Sequence, residues 1–176
     1  PRELDPVLVQ CALLDAGVNV GIGTDGAASN NRLDVFQEMR TAALLAKGVA
    51  GRADAMPAWQ ALHCATLGGA AALGLDQRIG SIAIGKEADL VAVHLGGVET
   101  QPCFDPISQL VYAAGRDQVT HAWVRGVLLL RDRRLTRIAP GECEKRASLW
   151  HNKLLKEEFV SPGGKSGEPV DARAHY

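Results

Sequence analysis

The stretch GVNVGIGTDGAASNN, residues 17–31, constrains this chain more than any other. Val18, Val20 and Ile22 are β-branched and alternate with small or polar residues, which predicts a strand over residues 18–23. Ahead of it, VLVQCALLDAG predicts a helix with Asp5 as its cap, Pro6 in the first turn and Gly17 as its stop. Behind it comes the polar, turn-rich TDGAASNN, and then, from Asp34, the helical pattern VFQEMRTAALLAKG up to Gly48. Pro57 opens a further predicted helix, PAWQALHCATLGGAAALGL. A single apolar strand set among helices has no sheet of its own. It reads as the closing turn of an α/β barrel, where a strand is buried on both faces, and not as a free-standing unit.

Gly21, Gly23 and Gly26 also spell G-x-G-x-x-G. A dinucleotide site needs those glycines after a strand and directly before a helix whose N-terminus holds the pyrophosphate. Here the first two lie within the predicted strand, and eight residues, Ala27 to Asp34, follow Gly26 before the helical signal. The glycines suit a barrel strand better, because small residues let neighbouring strands fill the interior. Asp25 then stands at the C-terminal end of that strand, on the face where barrel enzymes carry their active sites. Asp-Gly is also a common turn pair, so on these residues alone Asp25 is either a turn or cap residue or a site acid.

From about residue 78 to 138 the chain turns β-rich. A strand is predicted from Ala88 to Leu95, a short helix capped at Asp105 in FDPISQLVYAAG, and two strands meeting near Gly126 in QVTHAWVRGVLLLRDRRLTRI. GECEKRASLWHNKLLKEEF is an amphipathic helix with Leu149, Leu154, Leu155 and Phe159 near one side. The Pro/Gly-rich VSPGGKSGEPVDARAHY predicts disorder.

The 176 residues suffice for one sizeable core, and a net charge of −1 gives no reason to expect nucleic acid or an anionic membrane as partner. No apolar run approaches the roughly 18 residues of a membrane span. Cys11, Cys64, Cys103 and Cys143 form no C-x-x-C and read as small buried apolar residues in a reducing cytoplasm. The start, PRELDPVLVQ, has neither an initiator Met nor a signal-peptide pattern, and an upstream portion is expected.

Three blocks, GVNVGIGTDGAASNNRLDVFQEMRTAALLAK, PAWQALHCATLGGAAALGLDQRIGSIAIGKEADLVAVHL and VTHAWVRGVLLLRDRRL, occur in this order. Over roughly residues 4–150 they resemble the C-terminal third of the amidohydrolase superfamily. Within it they are most similar to the aminohydrolase branch of 5-methylthioadenosine/S-adenosylhomocysteine deaminases and triazine chlorohydrolases. The resemblance implies an α/β fold class: the C-terminal fragment of a metal-dependent (β/α)8 barrel hydrolase plus part of a small β-sandwich. Residues 1–77 would supply the last barrel strand and its helices, 78–138 the β-sandwich segment, 139–160 a C-terminal helix and 161–176 a disordered tail. Asp25 matches the acid at the end of barrel strand eight, a metal ligand and catalytic group that hydrogen-bonds the hydrolytic water. The implied cofactor is one zinc ion per complete site, with iron as the alternative.

That family holds its metal with His-x-His on strand one, a His on strand five and this Asp. The present sequence has no His-x-His, and its histidines, His63, His94, His121, His151 and His175, match none of the family's ligands. A catalytic zinc takes about three protein ligands plus water, so the chain is expected to be inactive by itself and to bind zinc no better than about millimolar. The implied partners are an amino-heterocycle substrate, the missing N-terminal barrel segment and further copies of the complete protein in a homo-oligomer. The implied reaction is hydrolytic deamination of an amino-substituted heterocycle in the cytoplasm. The alternatives are a chlorohydrolase, a guanine or cytosine deaminase, or a non-catalytic partner-binding module. No substrate-binding residue is assigned. Asp34 reads as a helix cap, Glu87 and Asp89 as turn residues, and Glu38 as a solvated helix position. Asn30 and Asn31 read as loop-structuring residues, Arg131 to Arg134 as a hairpin charge cluster, and Trp59, Trp123 and Trp150 as packing residues.

Overall fold

A computed structural model describes residues 6–156. Asp5, Phe159, His175 and the segment 161–176, each given a role above, lie outside them. The chain divides into two units, Pro1–Thr136 and Arg137–Tyr176. In the first, helix α1 (Pro6–Asp15) leads to α2 (Val35–Ala50), α3 (Ala58–Ala65) and α4 (Leu67–Ala72). Strand β1 (Leu90–Val93), helix α5 (Pro106–Tyr112) and strands β2 (Val119–Val124), β3 (Val127–Arg131) and β4 (Arg134–Leu135) follow.

Residues 18–26, predicted in part as a strand, form none. A strand is defined by the ladder bonds of a neighbour, and among the described residues no strand lies alongside. The run is instead fastened to helices: Val18 N–H donates to Leu13 O (2.9 Å), Ile22 N–H to Cys64 O (3.0 Å), and Asn19 Nδ2 to Gly68 O (2.9 Å). The approach is close. A Cβ on Gly21 would stand 3.1 Å from Gly69 Cα, and one on Gly68 would stand 3.0 Å from Val20 O.

The single helix predicted from Pro57 is two. It breaks at Thr66 (φ −123°, ψ −95°), whose hydroxyl donates to Leu62 O at 2.7 Å. The break coincides with the point where Gly68 and Gly69 admit the 18–23 run. Helix α2 begins as predicted, with buried Asp34 accepting from Phe36 N–H (3.1 Å) and Gln37 N–H (3.4 Å). It does not end at Gly48. The left-handed stop is Gly51 (φ 63°), whose N–H reaches Lys47 O.

Met39, Ala43 and Ala46 on α2 recur at helical spacing and face Ala58, Ala61 and Cys64 of α3, with Met56 and Val111 completing the core. Val20, Ile22, Phe36 and Tyr112 pack against it half-buried. Alanines allow close helix contact but remove little apolar area from water. Two long cations tie the helices. Arg40 donates from Nε to Val111 O (3.3 Å) and from Nη2 to Ala114 O (2.6 Å), satisfying carbonyls at the end of α5. Lys47 Nζ donates to Ala55 O and Met56 O, both at 2.8 Å, and lies 5.5 Å from the centroid of the Tyr112 ring. Lys47→Met strips a charged donor from both carbonyls and is expected to destabilise the fold by about 1–3 kcal/mol, read as a lowered denaturant midpoint.

The β-rich segment forms one antiparallel sheet in the order β1-β2-β3-β4. Leu90 faces Trp123 across β1 and β2, and Val124 faces Val127 across the tight turn between β2 and β3. That turn has Arg125 and Gly126 at φ 52° and 75°, the two left-handed residues of a hairpin turn whose twist matches its strands. Asp132 and Arg133 repeat the arrangement (φ 47° and 63°) between β3 and β4, with Arg131 opposite Arg134. Arg133 reaches back from Nη1 to Arg116 O (3.2 Å) and Asp117 O, and from Nη2 to Asp117 Oδ1 (3.3 Å). Glu87 is not a simple turn residue, because it pairs with both Arg78 and Arg125. No sheet residue is fully buried, and Ile82 and Phe104 are 90% and 91% exposed.

In the second unit, helix α6 (Pro140–Lys156) carries Leu149, Trp150 and Leu154 exposed. Trp150 and Trp59 are 61% and 60% exposed in this chain, whereas Trp123 stacks on His121 with ring centroids 5.6 Å apart. The cysteines are all free, but only Cys64 is buried, and burial pushes its thiol above the ordinary 9.0; Cys143 is exposed.

Candidate active site

Asp25 ends the run that α1, α3 and α4 hold in place. Its backbone is left-handed (φ 57°), its side chain is exposed, and both carboxylate oxygens are engaged. Oδ2 accepts from Ser29 Oγ at 2.6 Å and Oδ1 from Gly26 N–H at 2.7 Å. The Ser29 hydroxyl first, and then the Gly26 N–H, hold the carboxyl below its ordinary value of 3.8. Asp25 is thus an ionised, oriented carboxylate with lone pairs still open on both oxygens.

The loop beyond it is also fastened. Ser29 and Asn30 donate their N–H groups to Gly26 O, both at 3.0 Å. Asn30 Oδ1 accepts from Arg32 N–H (3.0 Å) and Leu33 N–H (3.1 Å), an Asx arrangement, while its Nδ2 donates to Glu38 Oε1 at 2.8 Å. Arg116, just ahead of β2, donates from Nη1 to Arg32 O at 2.9 Å. Asn30 is loop-structuring, as its type suggests, but Glu38 is half-buried and bonded, not solvated. Sequence reasoning passed over Ser29. The available signal was a hydroxyl four residues after an acid inside a turn-rich loop.

A cavity of about 670 Å³ runs along residues 21–23 between α4 and β1. Its walls include Ile22, Leu73, Ile79, Ile82, Leu90 and Val91, and Asp25 is not among them. Among the described residues no three His, Cys, Asp or Glu side chains converge. His63, on the last turn of α3, and His94, after β1, are exposed, as is His151 on α6; His121 lies 3.7 Å from Asp132. Asp25 has the charge and open lone pairs of one metal ligand, but the described residues do not make a metal site by themselves.

The sequence model of the amidohydrolase family matches residues 10–129. The chain belongs to the amidohydrolase family. This amidohydrolase chain is 46% identical over 143 residues to a 5-methylthioadenosine/S-adenosylhomocysteine deaminase of Teredinibacter turnerae, a match covering 81% of the chain and 32% of that protein. Among solved structures it is similar to an adenosine deaminase from Xanthomonas campestris with bound zinc. That match has a TM-score of 0.81 and 52% identity, and covers 84% of this chain and 34% of the other. An atrazine chlorohydrolase from Arthrobacter aurescens complexed with zinc matches with a TM-score of 0.73 at 27% identity, covering 80% of this chain and 31% of that one. The chain spans about a third of the length of these relatives. Its helices and small antiparallel sheet are those of a C-terminal piece of an α/β amidohydrolase.

Proposed function

We propose that this chain supplies, in Asp25, the catalytic acid of a hydrolytic deaminase acting on an amino-substituted heterocycle, with 5′-methylthioadenosine or S-adenosylhomocysteine as favoured substrate. The observation that carries the reading is Asp25: an exposed, ionised carboxylate held at both oxygens, in a chain 46% identical to a deaminase of those substrates. The chlorohydrolase alternative is less favoured, because similarity on that side is 27% identity. The remaining ligands and most of the pocket would come from the preceding part of the polypeptide, and the complete protein would work as a homo-oligomer. Four free cysteines suit a reducing cytoplasm.

Zinc, when bound, lowers the pKa of its water to about 7. Asp25 would be one of the residues holding the metal, and its carboxylate would orient the attacking water and accept its proton. Ser29 Oγ and Gly26 N–H would keep the carboxylate ionised and aimed until that transfer. That proton passes to the departing amine, the other proton of the water goes to the adjacent ring nitrogen, and the carbon–amine bond breaks, so that the amidine and water become a ring carbonyl beside an N–H, plus ammonia. The test is the polypeptide joined to its preceding segment, assayed for ammonia release from 5′-methylthioadenosine. Release with one equivalent of oxo product is expected. Chloride release from a chlorotriazine without deamination would overturn the reading.

A further inference from the structure

The acid that the proposed reaction depends on is exposed and sits in a loop, where geometry is least secure. One fastening of that loop begins on α2. Glu38 lies in the first turn of a helix whose Met39, Ala43 and Ala46 are buried, so its backbone is fixed by the core. Its Oε1 accepts from Asn30 Nδ2, and Asn30 in turn holds the Arg32 and Leu33 amides through Oδ1. Asn30 adjoins Ser29, whose hydroxyl bonds Asp25. We propose that Glu38 is a positioning residue for Asp25, acting through Asn30 to hold the Ser29 hydroxyl against the catalytic carboxylate. The inference rests on the reading of Asp25 as that carboxylate.

A misplacement of about 1 Å at a reacting group costs up to roughly a hundredfold in rate. In the polypeptide joined to its preceding segment, Glu38→Ala is therefore expected to lower kcat about ten- to a hundredfold with KM changed less than about twofold, and to speed loss of zinc to a chelator. Glu38→Gln keeps an oxygen that accepts from Asn30 and is expected to stay within about threefold of the unaltered protein. Should Glu38→Ala fail to fold, a charge swap gives the same information. Asn30→Asp alone sets two carboxylates face to face and is expected to slow turnover. Combining it with Glu38→Gln restores a donor–acceptor pair in the opposite sense and should recover both turnover and zinc retention. A Glu38→Ala protein within twofold of normal in kcat and zinc retention would overturn the inference. So would a Glu38→Gln protein as impaired as Glu38→Ala, or a double variant no better than Asn30→Asp. Asp25→Asn separates the two levels: if it keeps normal turnover and zinc, the reading of Asp25 itself falls, whereas an inactive Asp25→Asn beside a normal Glu38→Ala removes only the positioning role.

Discussion

Asp25→Asn, in the polypeptide joined to its preceding segment, is expected to lower turnover by about 10²–10⁴-fold, the range general acid–base steps contribute. The amide copies the carboxylate's shape, so the loop beyond it, fixed by Asn30 and Asp34, stays in place. It carries no negative charge for a cation and no basic oxygen for the proton of water. One of its two polar ends is also a donor, so either Ser29 Oγ or Gly26 N–H loses its acceptor. The measurement is ammonia release under saturating substrate, with circular dichroism as the check on folding. Turnover within tenfold of normal would return Asp25 to the role of a turn residue.

Gly80→Ala should strongly destabilise the fold. The added Cβ would stand 2.7 Å from Ala70 Cβ, 2.9 Å from Leu67 Cα and 3.1 Å from Thr66 O, and none of these atoms can swing aside by a rotamer change. Gly80 is also left-handed, at φ +88°. Overpacking costs about 1–3 kcal/mol and a left-handed non-glycine backbone roughly 1–2 more, so a loss of about 2–5 kcal/mol is expected in denaturant unfolding. Gly74→Ala is the control: its φ is +68°, but nothing lies within 4 Å of the new Cβ, so only the backbone cost of about 1–2 kcal/mol applies. Equal losses for the two variants would rule out the close packing of Gly80 on α4.

Local chemistry made much of this molecule readable in advance. Asp34 and Asp105 cap the helices they were predicted to cap, and the hairpin turns at Gly126 where alternation of the flanking residues requires it. The family was legible in the order of three blocks around Asp25. What failed depended on partners distant in sequence. Val18 to Ile22 have the composition of a strand, but a strand needs a neighbour, and the described residues offer helices instead. The break at Thr66 coincides with a run crossing at Gly68 and Gly69, which arrives from 45 or more positions earlier in the chain. Glu38 looked solvated because nothing in its own helix reveals Asn30 across the loop.

The turn between β3 and β4 has a consequence for anyone redesigning this protein. Asp132 and Arg133 occupy left-handed positions where Asn-Gly is the usual choice, so swapping in that pair is an obvious stabilising edit. Yet the Arg133 guanidinium bonds the carbonyls of Arg116 and Asp117, and Arg116 holds Arg32 O in the loop that follows Asp25. Optimising the hairpin's backbone would cut the first link of a mechanical linkage running from the tip of the sheet to the loop beside the acid. A melting-temperature screen would see only the net of the relaxed turn and the lost Arg133 bonds, and a parallel activity screen is needed to register any change passed on to the loop.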